Sequence, residues 1–168
     1  MPVSMYQASV PVFTRTLTNL SAILQKAAAH AEAKKIDPAV LINARLYPDM
    51  LPLKTQIYVA TDNAKGCTAR LAGVEPPRFE DVEQTFPDLV ARLKKTIDFM
   101  ATIKPAQIDG SDERDIRFKL GSREVNMKGM PYLLHLALPN VYFHVVTAYA
   151  ILRHNGVEIG KSDFLGPS

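Results

Sequence analysis

In the stretch NVYFHVVTAYAILRHNG, residues 140–156, an amide, an imidazole and a hydroxyl recur at helical spacing. Asn140, His144 and Thr147 share one face, which Ile151 continues. An imidazole there can ligate a divalent metal or act as a general base, with the amide and hydroxyl orienting a ligand or a water. The same groups can instead be polar side chains satisfied inside a helical core. Gln56 and Asn63, from another segment, carry amides able to meet them. The candidate ligand-binding set is therefore Gln56, Asn63, Asn140, His144 and Thr147, with His144 the candidate catalytic group. A core histidine held by those neighbours is the leading reading, and a lone ligand or base is the alternative.

Other reactive groups carry less. Cys67 borders an apolar stripe and reads as core filling, with a thiol nucleophile beside His144 as the competing reading; a working thiol needs access and a lowered pKa. His135 points away from the His144 face. His154 sits near a helix end, where an imidazolium complements the last carbonyls. His30 reads as a surface residue. Arg45, Tyr47 and Asp49 read as a group that fixes a loop, or else as the mouth of a pocket. Tyr142, Phe143 and Tyr149 read as packing or dimer-interface residues. Asp81 and Glu83 are close in sequence but lack an acid/base context. The sequence holds no glycine-rich phosphate loop, no HExxH and no Ser-His-Asp arrangement.

The elements that must position these groups come from periodicity. Apolar residues Val12, Leu17, Leu20, Ile23 and Leu24 predict a first helix over Ser4–Lys34, kinked or begun at Pro11. Asp37-Pro38 opens a short helix through Asn43. Leu53, Ile57, Ala60, Ala64 and Leu71 predict a second long helix over Leu51–Ala72, stopped by Gly73. Gln56, Asn63 and Cys67 border its stripe, and Asp62 points the opposite way, to solvent or an interface. Gly73–Phe86 is a proline-bearing connection suited to a crossover. Thr85 and Asp88 form a capping box for a third helix to about Lys104, with Leu89, Leu93, Ile97 and Met100 inward. The period then changes: Ile116, Phe118, Leu120, Val125 and Met127 alternate around Gly121-Ser122, a β-hairpin. The fourth helix is expected over Pro131–Asn155, bent at Pro139 and ended by Gly156.

With 168 residues, 47% hydrophobic and 22% charged, the chain reads as one globular domain over 1–168. A formal charge of +3, evenly spread, excludes an electrostatic case for nucleic acid or an anionic membrane. Lys34-Lys35 and Lys94-Lys95 read as solvated helix faces. Met130–Leu152 has no Asp, Glu, Lys or Arg, yet His135, Asn140, His144, Thr147 and Pro139 argue for a core or interface helix over a membrane span. One cysteine leaves no intramolecular disulfide, and a reducing cytoplasm is expected. Residues 1–12 lack the pattern of a signal peptide.

Three segments carry a family resemblance: SMYQASVPVFTRTLTNL, ARLYPDMLPLKTQIYVATDNAKG and ALPNVYFHVVTAYAILRHNGVEIGKSDFLG. They resemble the bacterial family known as domain of unknown function nineteen ninety-three, within the DinB/YfiT-like superfamily. The resemblance implies an all-α fold: a four-helix bundle with a crossover between the second and third helices, often a homodimer. In metal-binding members it implies three central histidines, one on the second helix and two, four residues apart, on the fourth. Here Leu51–Ala72 has no histidine, Asn140 stands four before His144 and Ala148 four after. A three-histidine site is therefore not expected, nor any cofactor; a divalent metal at His144 is the minor alternative. The functional expectation is a small-molecule-binding or stress-related accessory protein that forms a homodimer. The alternatives are a metal- or thiol-dependent transferase or hydrolase using His144, and a structural interaction module.

Overall fold

Pro11 sets the start of the first long helix. The computed structural model describes residues 2–167, and α1 runs Val10–Lys34 with proline in its first turn, where a missing N–H costs nothing. The expected start at Ser4 is corrected: residues 5–9 form turns, tied by an Ala8 N–H to Ser4 carbonyl bond of 3.0 Å. α2 spans Pro38–Ile42, capped by the Asp37 carboxylate, which accepts the Ala39 N–H at 2.9 Å. α3 spans Leu53–Ala72 and α4 spans Phe86–Thr102. The Thr85–Asp88 capping box is reciprocal, at 3.1 and 3.2 Å. α4 stops short of Lys104, and Pro105 opens a separate short helix, α5, over Pro105–Ile108.

The bundle order follows from side-chain pairs. Lys54 reaches Gln84 at 3.0 Å and Thr61 accepts from Arg92 at 2.8 Å, so α3 and α4 run parallel. Parallel neighbours force the chain to travel back along the bundle between them. That is why the connection after Gly73 is long, and the crossover is where the sequence placed it. α3 also packs against the last long helix, while α1 packs against α4 and that same helix. Phe13, Leu17, Leu20, Ile23 and Leu24 of α1 are fully buried, each stabilising the fold by roughly 1.5–3 kcal/mol.

The hairpin pairs β1, Asp115–Leu120, with β2, Arg123–Lys128, in register Ile116↔Met127 and Phe118↔Val125. Gly121, at φ 59°, takes the turn conformation that side chains disfavour. Ile116 and Val125 are buried, whereas Phe118 and Met127 are half-buried and Leu120 is exposed. The inner face is therefore the predicted one, but its depth tapers toward the turn. The Phe118 ring meets Tyr132 edge-on at 5.5 Å and lies 4.0 Å beneath the Arg70 guanidinium. Phe118→Ala should cost about 2 kcal/mol, less than the 3–5 of a fully buried ring. A urea midpoint equal to that of the unaltered chain would mean that the hairpin is not anchored by this ring.

The last long helix is continuous over Gly129–His154. It comprises α6 (Gly129–Tyr132), a π-helical turn (Leu133–Ala137) and α7 (Leu138–His154). Pro139 cannot donate to the His135 carbonyl, and the widened turn just before it, with Leu138 N–H on the Leu133 carbonyl, takes up the misfit. By length and composition this helix is long and apolar enough to cross a bilayer, and 33% of its most apolar window is buried inside the bundle. A further helix, α8 (Lys161–Leu165), was not legible in the sequence. It docks on α1 through Lys26–Asp163 at 2.6 Å and an Asn19 amide bond to the Phe164 carbonyl at 3.0 Å.

Candidate functional site

α3 and the last helix run antiparallel, since Gln56 meets His144 while Arg70 meets Tyr132. This places Gln56, near the start of α3, against the His144 face of α7. Gln56 is 2% exposed, and a buried amide must find partners for both its ends. Its Nε2 donates to the Leu51 carbonyl at 2.8 Å. A backbone carbonyl only accepts, so that bond fixes the amide orientation and turns Oε1 toward His144 Nδ1, 2.7 Å away. Oε1 in turn only accepts, so Nδ1 carries the proton. In the neutral ring Nε2 is then unprotonated, and it has no protein hydrogen bond among the described residues.

The ring is half-buried, with Phe143 edge-on at 5.2 Å. Burial holds the His144 pKa below the ordinary histidine value, because a low-dielectric surrounding disfavours the imidazolium. The arrangement is a neutral imidazole of one tautomer, oriented by an amide that is itself anchored to the loop before α3. Chemically it offers a lone pair: a hydrogen-bond acceptor or a proton acceptor.

The linkage to stability follows from the direction of that shift. Above the unfolded histidine pKa of about 6.5 both states are neutral, and His144 contributes no slope. As pH falls through 6.5 the unfolded state takes the proton first, so stability declines until pH passes the lower folded pKa. The unaltered chain should therefore lose more stability between pH 7.5 and 5.5 than His144→Asn, measured by urea unfolding. Equal losses would show that the ring is not desolvated.

The remaining expected members do not converge on the imidazole through hydrogen bonds. Asn63 Nδ2 donates to the Val59 carbonyl at 2.8 Å, and Thr147 Oγ1 donates to the Phe143 carbonyl at 2.7 Å. Both bonds lie within their own helices, a local alternative open to short polar side chains. Asn140 is half-buried and its side chain has no protein partner among the described residues. Of the four helpers, Gln56 alone is hydrogen-bonded to His144.

Cys67 is fully buried, the core filling its place beside the apolar stripe suggested. Burial pushes its thiol pKa strongly up, as it does the neighbouring Tyr132 hydroxyl. It also lies eleven residues beyond Gln56, roughly 16 Å along the helix axis, so it does not join His144. His135 and His154 are exposed. Arg45 donates to the Met50 carbonyl, which secures the loop before α3. Tyr149 packs edge-on against Phe164 at 6.4 Å.

Among the described residues, no three His, Cys, Asp or Glu side chains gather as a metal site. The donor set at His144 is one imidazole nitrogen with amides nearby, which does not suit tight first-row metal binding.

The charged cluster that sequence reasoning missed lies on the other side of α3. Arg92 is fully buried, donating to Thr61 Oγ1 at 2.8 Å and the Glu80 carbonyl at 3.0 Å. It pairs with Asp62 at 3.1 Å, Asp81 at 3.0 Å and Glu83 at 3.2 Å. Asp62 also accepts from Lys65. Asp62 is thus no free surface group, and Asp81 and Glu83 find their context in an ion cluster. The Lys65 and Lys95 ammonium groups sit over the Phe79 ring at 4.7 and 4.2 Å. The result pins the crossover to α3 and α4. The available signal was Arg92 itself, a charge three residues after Leu89 on an apolar stripe.

Residues 5–165 match the family model described as Domain of unknown function (DUF1993). A crystal structure of a DinB family member protein from Shewanella denitrificans is similar at a TM-score of 0.88 and 38% sequence identity, over 97% of this chain and 92% of that chain. Comparison with curated proteins gives no match.

Proposed function

The chain belongs to the DUF1993 family and has a DinB-like fold, and from that premise we propose that it is a small-molecule-binding bundle protein that receives its ligand at His144. The observation that carries this reading is the unprotonated Nε2, left without a protein partner while Nδ1 is committed to Gln56. A ligand hydroxyl or N–H can donate to it, and the half-buried Asn140 amide stands one turn away on the same face. The imidazole is neutral at pH 7, so the acceptor is available without a prior proton loss. An enzyme that uses Nε2 as a general base is the second reading, favoured by the same tautomer. The exposed Tyr142, Phe143 and Val146 on α7 are the surface on which a second copy of the chain is expected to pack.

The test is nitrogen-15 NMR of the imidazole during titration with aromatic alcohols and primary amides. The expected result is the Nδ1–H tautomer, with ligand-induced shifts at His144, Gln56 and Asn140. His144→Phe should weaken binding at least tenfold, and binding should weaken as the ring protonates at low pH. An Nε2–H tautomer, or shifts confined to other residues, would sink the proposal.

A further inference from the structure

A groove of about 420 Å³ opens at the end of the bundle, between the N-terminal turns, the segment after α5 and the first turns of the last helix. Leu133 is eleven residues before His144, roughly 16 Å along the helix axis, so this is a separate place from the imidazole.

The chemistry of its lining is lopsided. Met5, Ala8, Met130, Leu133 and Leu134 make an apolar wall, and Met130 and Leu134 remain 46% and 45% exposed. Asp109 and Asp112 line the same groove, and no Lys, Arg or His does. One oxygen of Asp109 accepts the Tyr6 N–H at 2.9 Å. Asp112 is held through its backbone carbonyl, which accepts the Met130 N–H at 3.0 Å. Its carboxylate pairs with no protein group among the described residues. Water-exposed apolar surface and a carboxylate without a counter-ion thus occur at one place.

We propose that this groove binds an amphiphilic monocation, a primary ammonium on an aliphatic chain. The ammonium donates to the Asp112 and Asp109 carboxylates, and the chain lies along the exposed Leu134 and Met130. Charge complementarity selects the cation: a fatty carboxylate meets two like charges, and an alkanol forgoes the charge-assisted bond. A quaternary ammonium has no N–H to donate, and no aromatic ring lines the groove to hold it by its face.

The experiment is isothermal titration of the full chain with octylammonium chloride below its micelle concentration. Sodium octanoate, 1-octanol and octyltrimethylammonium serve as comparison probes. Octylammonium is expected to bind one to one, at least tenfold tighter than each of the other three, and more weakly as salt is raised. Asp112→Asn should weaken octylammonium at least tenfold without changing thermal stability; Leu134→Ser, at an exposed position, should weaken it by a smaller factor. Absence of octylammonium binding, equal binding of octanoate, or an Asp112→Asn variant that binds like the unaltered chain would overturn the proposal. So would concentration-dependent protection of the groove's backbone amides without probe, which would make a second copy the occupant.

Discussion

Arg92→Ala should destabilise the protein by about 3 kcal/mol and release the crossover. Breaking a buried ion pair by removing one partner costs roughly 3–5 kcal/mol, because the remaining charge is left uncompensated. Here the acids differ in how easily water can replace the guanidinium. Asp62 and Asp81 have side chains 45% and 54% exposed and can rehydrate, whereas Glu83, at 15%, cannot do so fully. That places the effect at the lower end of the range. The vacated volume beside Tyr58, whose ring lies 4.7 Å from the guanidinium, adds to it. Arg92→Lys should recover only part of the loss, since one ammonium cannot reach Thr61, Glu80, Glu83, Asp62 and Asp81 together. Urea unfolding gives the magnitude, and hydrogen exchange localises it: residues 74–84 should exchange faster in Arg92→Ala while α1 stays protected below the transition. Unchanged exchange in that segment would mean that the crossover is held by something other than this cluster.

Gly129→Ala should lower stability by about 3 kcal/mol, at the upper end of the usual overpacking cost. An added Cβ would lie 1.9 Å from the Ser111 carbonyl oxygen and 2.9 Å from its carbon. Backbone cannot rotate out of the way as a side chain can. The Ser111 carbonyl is further committed to the Arg114 N–H at 3.0 Å, and Met130 N–H bonds the Asp112 carbonyl just beyond. Alanine's better helix propensity, worth about 1 kcal/mol in a helix interior, is reduced at the first helical position and does not offset the clash. For a domain of this size, the melting temperature should fall by about 6–12 °C. A variant melting with the unaltered chain would show that the β2–α6 junction and the segment after α5 are not in contact in solution.

These two positions mark where sequence reading reaches and where it stops. Helical period alone placed Leu17, Leu20, Leu53, Ile57, Leu89 and Leu93 on inward faces, because a residue's azimuth on a helix is a local property of spacing. The alternation of Ile116, Phe118, Val125 and Met127 gave the hairpin for the same reason. Gln56 and His144 could be paired in advance as inward polar groups on two helices. The family-like segments carried the crossover.

Azimuth, however, says nothing about depth or about which partner arrives from elsewhere in the chain. Phe118 lies on the face its alternation gave it but only half-buried, a depth that spacing does not set. Asn63 and Thr147 turned inward only to bond their own helices. Arg92 joins Asp62 across 30 positions of chain, a pairing that exists because α3 and α4 run parallel. α8 is short and has no period of its own; only its docking on α1 defines it. The His144 tautomer is the clearest case. It depends on a carbonyl at Leu51 that no spacing rule connects to position 144: the carbonyl orients the amide, the amide places the proton, and the lone pair on Nε2 exists because three segments meet in space.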